Sequence, residues 1–294
     1  MQSKFQNFKK KFPYLNIEEC IIYYSIFDGH HNLSNIKFTN SLNTTIKEEI
    51  IDKIEELKSS FIYDKEIATQ KLLEKILTRI AKGDRKSYTV YNKEKLSQTK
   101  GRVLYKYLFE NKIIKKEKSR ETPIKTSTKQ LIKKDLRRYK IQDKLQFSDN
   151  FTRFWFTFIA PNIHKNEISY EIDIAPFLDK FISLEFENLS NELLRHVYKN
   201  EQIISTGGYW DKNLEIDLLI KTNSLNIAGE AKWKNTKICK NVLNSLINKC
   251  QKADLGIDKF ALFSKSGYSK ELESKKYVNI ELYTLDDFER LFND

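Results

Sequence analysis

Between Leu214 and Trp233, two runs of apolar, β-favouring residues (Leu214 to Ile220 and Ile227 to Trp233) flank a short polar stretch from Lys221 to Asn226. Glu215, Asp217, Glu230 and Lys232 are set into those runs. Side chains two apart on a strand share a face, so Glu215 groups with Asp217, and Glu230 with Lys232. A two-residue loop at Asn223-Ser224 places Asp217 opposite Glu230 and Glu215 opposite Lys232. Opposed side chains stand about 5 Å apart at Cβ. Two carboxylates held that close among apolar residues repel one another unless a proton or a cation lies between them. A hard divalent ion such as Mg²⁺ takes oxygen ligands, often one or two carboxylates completed by water and phosphate. With a lysine beside it, that set of groups suits metal-assisted hydrolysis of a phosphodiester. The competing reading is a solvated face of cross-strand ion pairs. The like-charged opposed pair argues against it, because such pairs destabilise a sheet.

Asp217, a spacer and Glu230-Ala231-Lys232 resemble the Asp…Glu-x-Lys signature of the PD-(D/E)xK nuclease superfamily, with its restriction-endonuclease-like fold. Gly208-Tyr209-Trp210-Asp211, Gly229 and the run from Phe260 to Tyr268 extend the likeness. Together these residues look like the domain of unknown function at the C-terminus of archaeal-type AAA ATPases, over residues 145–290. The resemblance implies Mg²⁺ or Mn²⁺ at Asp217 and Glu230, with Glu187 on the preceding helix completing the acidic cluster. It also implies that Lys232 orients or deprotonates the attacking water, with Glu215 behind it as its partner. Ala231 departs from the pattern, where the family often has Cys or another small residue, but it faces away from the site. Those ATPases start with a P-loop. No Gly-Lys-Ser or Gly-Lys-Thr occurs here, so ATP hydrolysis does not carry across.

At 294 residues, 40% hydrophobic and 13% aromatic, the chain can build two real cores. Its net charge of +12 favours polyanions, nucleic acid first and an anionic membrane surface second. Cys20, Cys239 and Cys250 are scattered, without metal-binding spacing, which predicts reduced thiols. His30, His31, His164 and His196 show no pairing that suggests a ligand set or a triad. No apolar run is long enough to span a bilayer, so the expectation is a cytoplasmic protein without a membrane partner.

Four regions follow along the chain. Residues 1–62 read as helical, with one helix ending at Asp28-Gly29 and one amphipathic helix over Ile46 to Phe61, suited to a cap or a protein contact. Residues 63–145 carry a helix from Ala68 to a capping Gly83, a short segment, a helix from Thr99 to Lys112 and a strand from Ile113 to Lys116. That order is a winged helix-turn-helix, and it is similar to the segment preceding the nuclease-like domain of those ATPases. The similarity puts Glu121-Thr122-Pro123 in the wing and Arg138 to Ile141 in the returning strand. Gln98, Lys100, Arg102 and Lys106 are the candidate recognition-helix contacts to DNA. Residues 112–144 hold thirteen Lys or Arg against four acids, and Lys116, Lys118 and Arg120 are its candidate phosphate contacts. Contact with a protein instead of DNA is the alternative for this region.

Residues 146–164 read as an aromatic connecting helix that packs the two halves together. Residues 165–294 read as a mixed α/β sheet flanked by helices. In it a helix from Ile174 to Asn200 carries Glu187, and one from Lys237 to Ala253 turns Ile238, Val242, Leu246 and Ile247 inward. Strands from Phe260 and Val278 and a terminal helix from Leu285 to Phe292 complete it. The leading expectation is a metal-dependent DNA nuclease, with a homodimer suited to double-strand cutting. Its competitors are a catalytically inactive DNA-binding or regulatory protein on the same scaffold, and an adaptor for a separate ATPase.

Overall fold

A helical N-terminal region precedes a C-terminal five-stranded mixed sheet with helices. The computed structural model describes residues 2–83, 85–122, 131, 134, 139–165, 167–274 and 279–292. It divides into two compact units, residues 1–117 with 143–179, and residues 118–142 with 180–294.

In the first unit, helices α1 (Lys4–Lys11) and α2 (Ile17–Phe27) each start at a capping box, Ser3 with Gln6 and Asn16 with Glu19. The second ends where Gly29 adopts a positive φ of 92°. Ile46, Ile50, Leu57 and Phe61 are all buried, as an amphipathic helix requires. The backbone reaches this by changing pitch: α3 (Leu42–Ile46), a π turn (Lys47–Ile51), α4 (Ile54–Lys58) and a 3₁₀ turn (Ser59–Phe61) replace the single helix expected.

Helices α5 (Ile67–Lys82), α6 (Ser87–Lys93) and α7 (Gln98–Glu110) follow. They lead into an antiparallel ribbon of β1 (Ile114–Glu117) and β2 (Lys144–Phe147), with Ile114 opposite Phe147. A single bridge from Lys86 to Lys144 adds to the ribbon. The returning strand is therefore at Lys144–Phe147, where Leu145 and Phe147 supply the buried alternation, rather than at Arg138 to Ile141. Pro123 and Arg138 lie outside the described residues.

Helix α7 turns Gly101, Leu104, Tyr105 and Leu108 inward. A Cβ on Gly101 would stand 2.0 Å from Tyr91 Cε1, and Tyr91 is stacked on Tyr105 at 5.2 Å. Gly101→Ala in an ordinary helix interior gains about 1 kcal/mol. Here the expected result is a net loss of about 1–3 kcal/mol as the stack is displaced, read by urea denaturation. A gain in stability would mean that α6 and α7 do not pack this closely.

The aromatic segment after β2 forms α8 (Asn150–Phe154), a π turn (Trp155–Ile159) and a 3₁₀ turn (Ala160–Asn162). Phe151, Phe154, Trp155, Phe156 and Phe158 are all buried. Phe61 stacks on Trp155 at 4.4 Å, and His30 meets Phe151 at 4.5 Å. Three consecutive buried aromatics cannot share one α-helical face. They are buried because the segment is enclosed on more than one side, and it forms the centre of the first unit, where a connecting helix was expected.

Helix α9 (Ala175–Val197), entered through a π turn at Tyr170–Ile174, continues into the second unit. There the sheet runs β3 (Ile203–Trp210), β4 (Glu215–Thr222), β5 (Asn226–Lys232), β6 (Lys259–Ser264) and β7 (Ile280–Tyr283) in sequence order. The β3–β4 and β4–β5 pairs are antiparallel, and β5–β6 and β6–β7 are parallel.

Helix α10 (Lys240–Lys252) seals one face of the sheet with Leu243, Leu246 and Cys250 against Ile216, Leu219, Ala228 and Leu262. Val242 and Ile247 are only partly buried, and Ile238 precedes the helix in a bridge to Tyr268. Ile238 and Leu246 are buried as expected, while Leu243 and Cys250 fill the inward places expected of Val242 and Ile247. The short helix α11 (Lys270–Glu273) was not anticipated, and the terminal Leu285–Phe292 segment is 3₁₀. Val278, the expected start of the last strand, lies outside the described residues.

Ser119 and Arg120 lie along β3. Arg120 N–H donates to Gly208 O at 3.0 Å, and the Ser119 hydroxyl donates to Trp210 O at 2.6 Å. No helix among the described residues is long and apolar enough to cross a membrane.

Candidate active site

The hairpin between β4 and β5 turns at Asn223-Ser224 because Thr222 makes the turn for it. Its hydroxyl accepts from Ser224 N–H at 3.2 Å and Leu225 N–H at 3.0 Å, while its own N–H bonds Leu225 O at 2.8 Å. The register that follows, Lys221 with Asn226 through Leu218 with Gly229, is the one the two-residue loop dictates. Gly229 leaves little room for a side chain. A Cβ there would lie 3.1 Å from Ala261 O and 3.2 Å from Leu218 Cβ, so glycine lets three strands close up just before Glu230.

Beyond Leu218 and Gly229 the ladder stops, and the strands splay. The Ala231 N–H donates to Asp217 Oδ2 at 3.0 Å, so a carboxylate takes the place of a backbone carbonyl. Lys232 Nζ donates to Glu230 Oε1 at 2.6 Å and stands 3.9 Å from Asp217 Oδ2. Asp217, Glu230 and Lys232 are therefore brought together. Glu215 sits at the exposed start of β4, opposite Trp210 on β3, while Lys232 is engaged by Glu230 and Asp217. Glu187 is half-buried on α9. Its neighbour Phe186 packs edge-on against Trp233 at 5.2 Å, which sets this part of α9 beside the end of β5, and the Glu187 charge is felt at Lys232.

Sequence reasoning missed Lys249. It projects from α10 and bonds both oxygens of Glu230, at 3.2 and 2.9 Å. Only its position next to Cys250, at the edge of the inward stripe, could have marked it among the many lysines of the chain.

Burial and the Glu230 carboxylate raise the Asp217 carboxyl above its ordinary value, against the pull of Lys232 and of the Ala231 N–H. Burial opposes charge on Lys232, but Asp217 and Glu230, with Glu187 behind them, outweigh it and hold the ammonium above the usual lysine value. Burial pushes the nearby Cys250 thiol up to about 11, so it stays protonated.

Among the described residues, no three side chains of the His, Cys, Asp and Glu types converge as a ligand set. The hard oxygen donors at hand are the Asp217 and Glu230 carboxylates, a pair that suits one Mg²⁺ or Mn²⁺ completed by water or phosphate.

Of the candidate DNA contacts, Gln98, Lys100, Arg102 and Lys106 are exposed on α7, where Lys106 stands 3.7 Å from Glu110. Lys116 is exposed on β1, 4.0 Å from Asp143 and over the Phe109 ring. Lys118 and Arg120 are also exposed but belong to the second unit, where the Arg120 guanidinium lies against Gly207. In that unit Lys265 Nζ sits over the Trp233 ring at 4.7 Å.

A family model described as archaeal and bacterial proteins of unknown function, DUF234, matches residues 155–243. That span holds Glu187, Asp217, Glu230 and Lys232 and stops short of Lys249. Among solved structures, protein VC1899 from Vibrio cholerae is similar at 12% identity with a TM-score of 0.27, over 76% of this chain and 55% of that one. This chain therefore spans about half the length of that protein. No curated protein matches it.

Proposed function

We propose that the chain is a metal-dependent nuclease that hydrolyses DNA phosphodiester bonds at the splayed end of β4 and β5, on a restriction-endonuclease-like second unit. The observation that carries the reading is the joint placement of Asp217, Glu230 and Lys232: a buried carboxylate pair on facing strands, with one lysine reaching both. Asp217 and Glu230 would hold Mg²⁺ or Mn²⁺, with Glu187 contributing through water. Bound there, the ion supplies Lewis acidity toward a phosphate oxygen and the attacking water.

Lys232 keeps its proton at neutral pH, which suits it to orient the water and offset charge developing on the phosphate, and not to act as the base. Glu230 holds that ammonium in place. The order α5, α6, α7 and ribbon, with the Lys86–Lys144 bridge as a minimal third strand, supports reading this part of the first unit as a winged helix-turn-helix that delivers DNA.

One observation favours a second reading, a catalytically inactive DNA-binding or regulatory scaffold. Lys232 and Lys249 together already balance the two acids, so the site is electrically satisfied without a metal. Supercoiled plasmid incubated with the full chain in Mg²⁺, Mn²⁺ or EDTA, alongside Lys232→Ala, separates the two. Cutting that needs the metal and drops at least about a hundredfold in the variant is expected. Binding without cutting in any metal selects the scaffold. Neither binding nor cutting selects an adaptor working with a separate ATPase.

A further inference from the structure

The site does not end at Glu230. Helix α10 carries Lys249 to that carboxylate, and the same helix presents Asn241, Asn244, Ser245, Asn248 and Lys252 as an exposed stripe at helical spacing. The stripe is one wall of an open groove of about 620 Å³ that reaches Lys249, and the turn from Asp211 to Leu214 is the other. From Asn241 to Lys252 it runs roughly 17 Å along the helix axis. Among the described residues, none of these five side chains makes a hydrogen bond or ion pair. Asparagine is a poor helix former that is usually retained for a local hydrogen bond. Three of them on one stripe with no such bond leave their donors and acceptors facing the groove.

The groove's one acid is already committed. Asp211 Oδ1 accepts from Asn213 N–H at 2.6 Å and Leu214 N–H at 2.9 Å, so its charge holds the opposite turn. What remains is a concave track of neutral amides, a hydroxyl and a lysine, ending at a second lysine beside the carboxylate pair. A chain of phosphates and sugars finds polar partners along the helix and two lysines, Lys249 and Lys252, at its C-terminal end.

We propose that this track seats the sugar–phosphate backbone of a nucleic-acid strand and leads it to Asp217, Glu230 and Lys232, with Lys249 as the junction between track and site. This rests on the reading that the site acts on nucleic acid.

The test uses the full chain carrying Asp217→Asn in EDTA, with a ten-nucleotide single strand containing 4-thiothymidine and a terminal fluorophore. Photocrosslinking is expected to mark a peptide within residues 240–252 or the facing turn. Anisotropy should show at least tenfold weaker binding when Asn244→Ala, Asn248→Ala and Lys252→Ala are combined, with no fall in the melting temperature. Crosslinks confined elsewhere, binding within twofold of the parent, or no binding by the parent would each overturn the track. Cleavage is not read, so a failed nuclease and a failed track are told apart. A chain that never cuts but crosslinks on α10 sinks the first alone, and one that cuts with the triple variant unimpaired sinks the second alone.

Discussion

Asp217→Asn is expected to abolish cutting and, in the same protein, raise its melting temperature. Asparagine keeps an oxygen for the Ala231 N–H, so the splayed end of the hairpin survives. It loses the anionic charge a divalent ion needs, and cleavage in Mg²⁺ or Mn²⁺ should fall by at least about a thousandfold, near 4 kcal/mol of transition-state stabilisation.

The stability gain follows from the carboxyl's raised pKa, caused by burial and by Glu230. A carboxyl that holds its proton more tightly in the native state than in the unfolded chain makes the fold less stable as pH rises from the unfolded value, about 4, through the native one. Below that window the side chain is protonated in both states and the penalty vanishes. Measured by calorimetry in EDTA, the variant should melt roughly 2–6 °C higher than the parent at pH 7.5, with the gap closing toward pH 4. A lower melting temperature at pH 7.5 would show that Lys232 and Lys249 make the Asp217 charge a net asset. Surviving cleavage would remove Asp217 from the chemistry.

The hairpin was legible because two local rules determine it: alternation along a strand and the length of the loop. Once Asn223-Ser224 is the loop, no packing information is needed to set Asp217 against Glu230. Lys249 was illegible for the opposite reason. Its role depends on where α10 crosses the sheet, and that is decided by Leu243 and Cys250 beside Leu246, where the most apolar reading of the segment takes Val242 and Ile247. The aromatic run after Phe147 shows a third case. Its composition announces burial, but which elements enclose it depends on packing against Phe61 and His30, residues distant in the chain. The returning strand was misplaced because residues 139–142 belong to the second unit, where the Tyr139 hydroxyl donates to Glu121 at 2.8 Å.

Replacing Lys100, Arg102 and Lys106 together by alanine is expected to weaken binding to a 20-base-pair duplex by about a hundredfold at 0.15 M salt. The three side chains are exposed on α7, whose inward face is Gly101, Leu104, Tyr105 and Leu108, so the helix should keep its packing and the melting temperature should hold. Each phosphate contact removed lowers the slope of log affinity against log salt by about 0.9, so the slope should drop by two to three. That slope separates delivery from chemistry. Turnover at saturating DNA should match the parent, because Asp217, Glu230 and Lys232 belong to the second unit and keep their contacts. The half-saturating DNA concentration should rise with the loss of affinity. An unchanged slope and affinity would mean that α7 does not face DNA, and that α5 to α7 serve instead to contact another protein. A slope that falls together with turnover would place these basic residues in the chemical step.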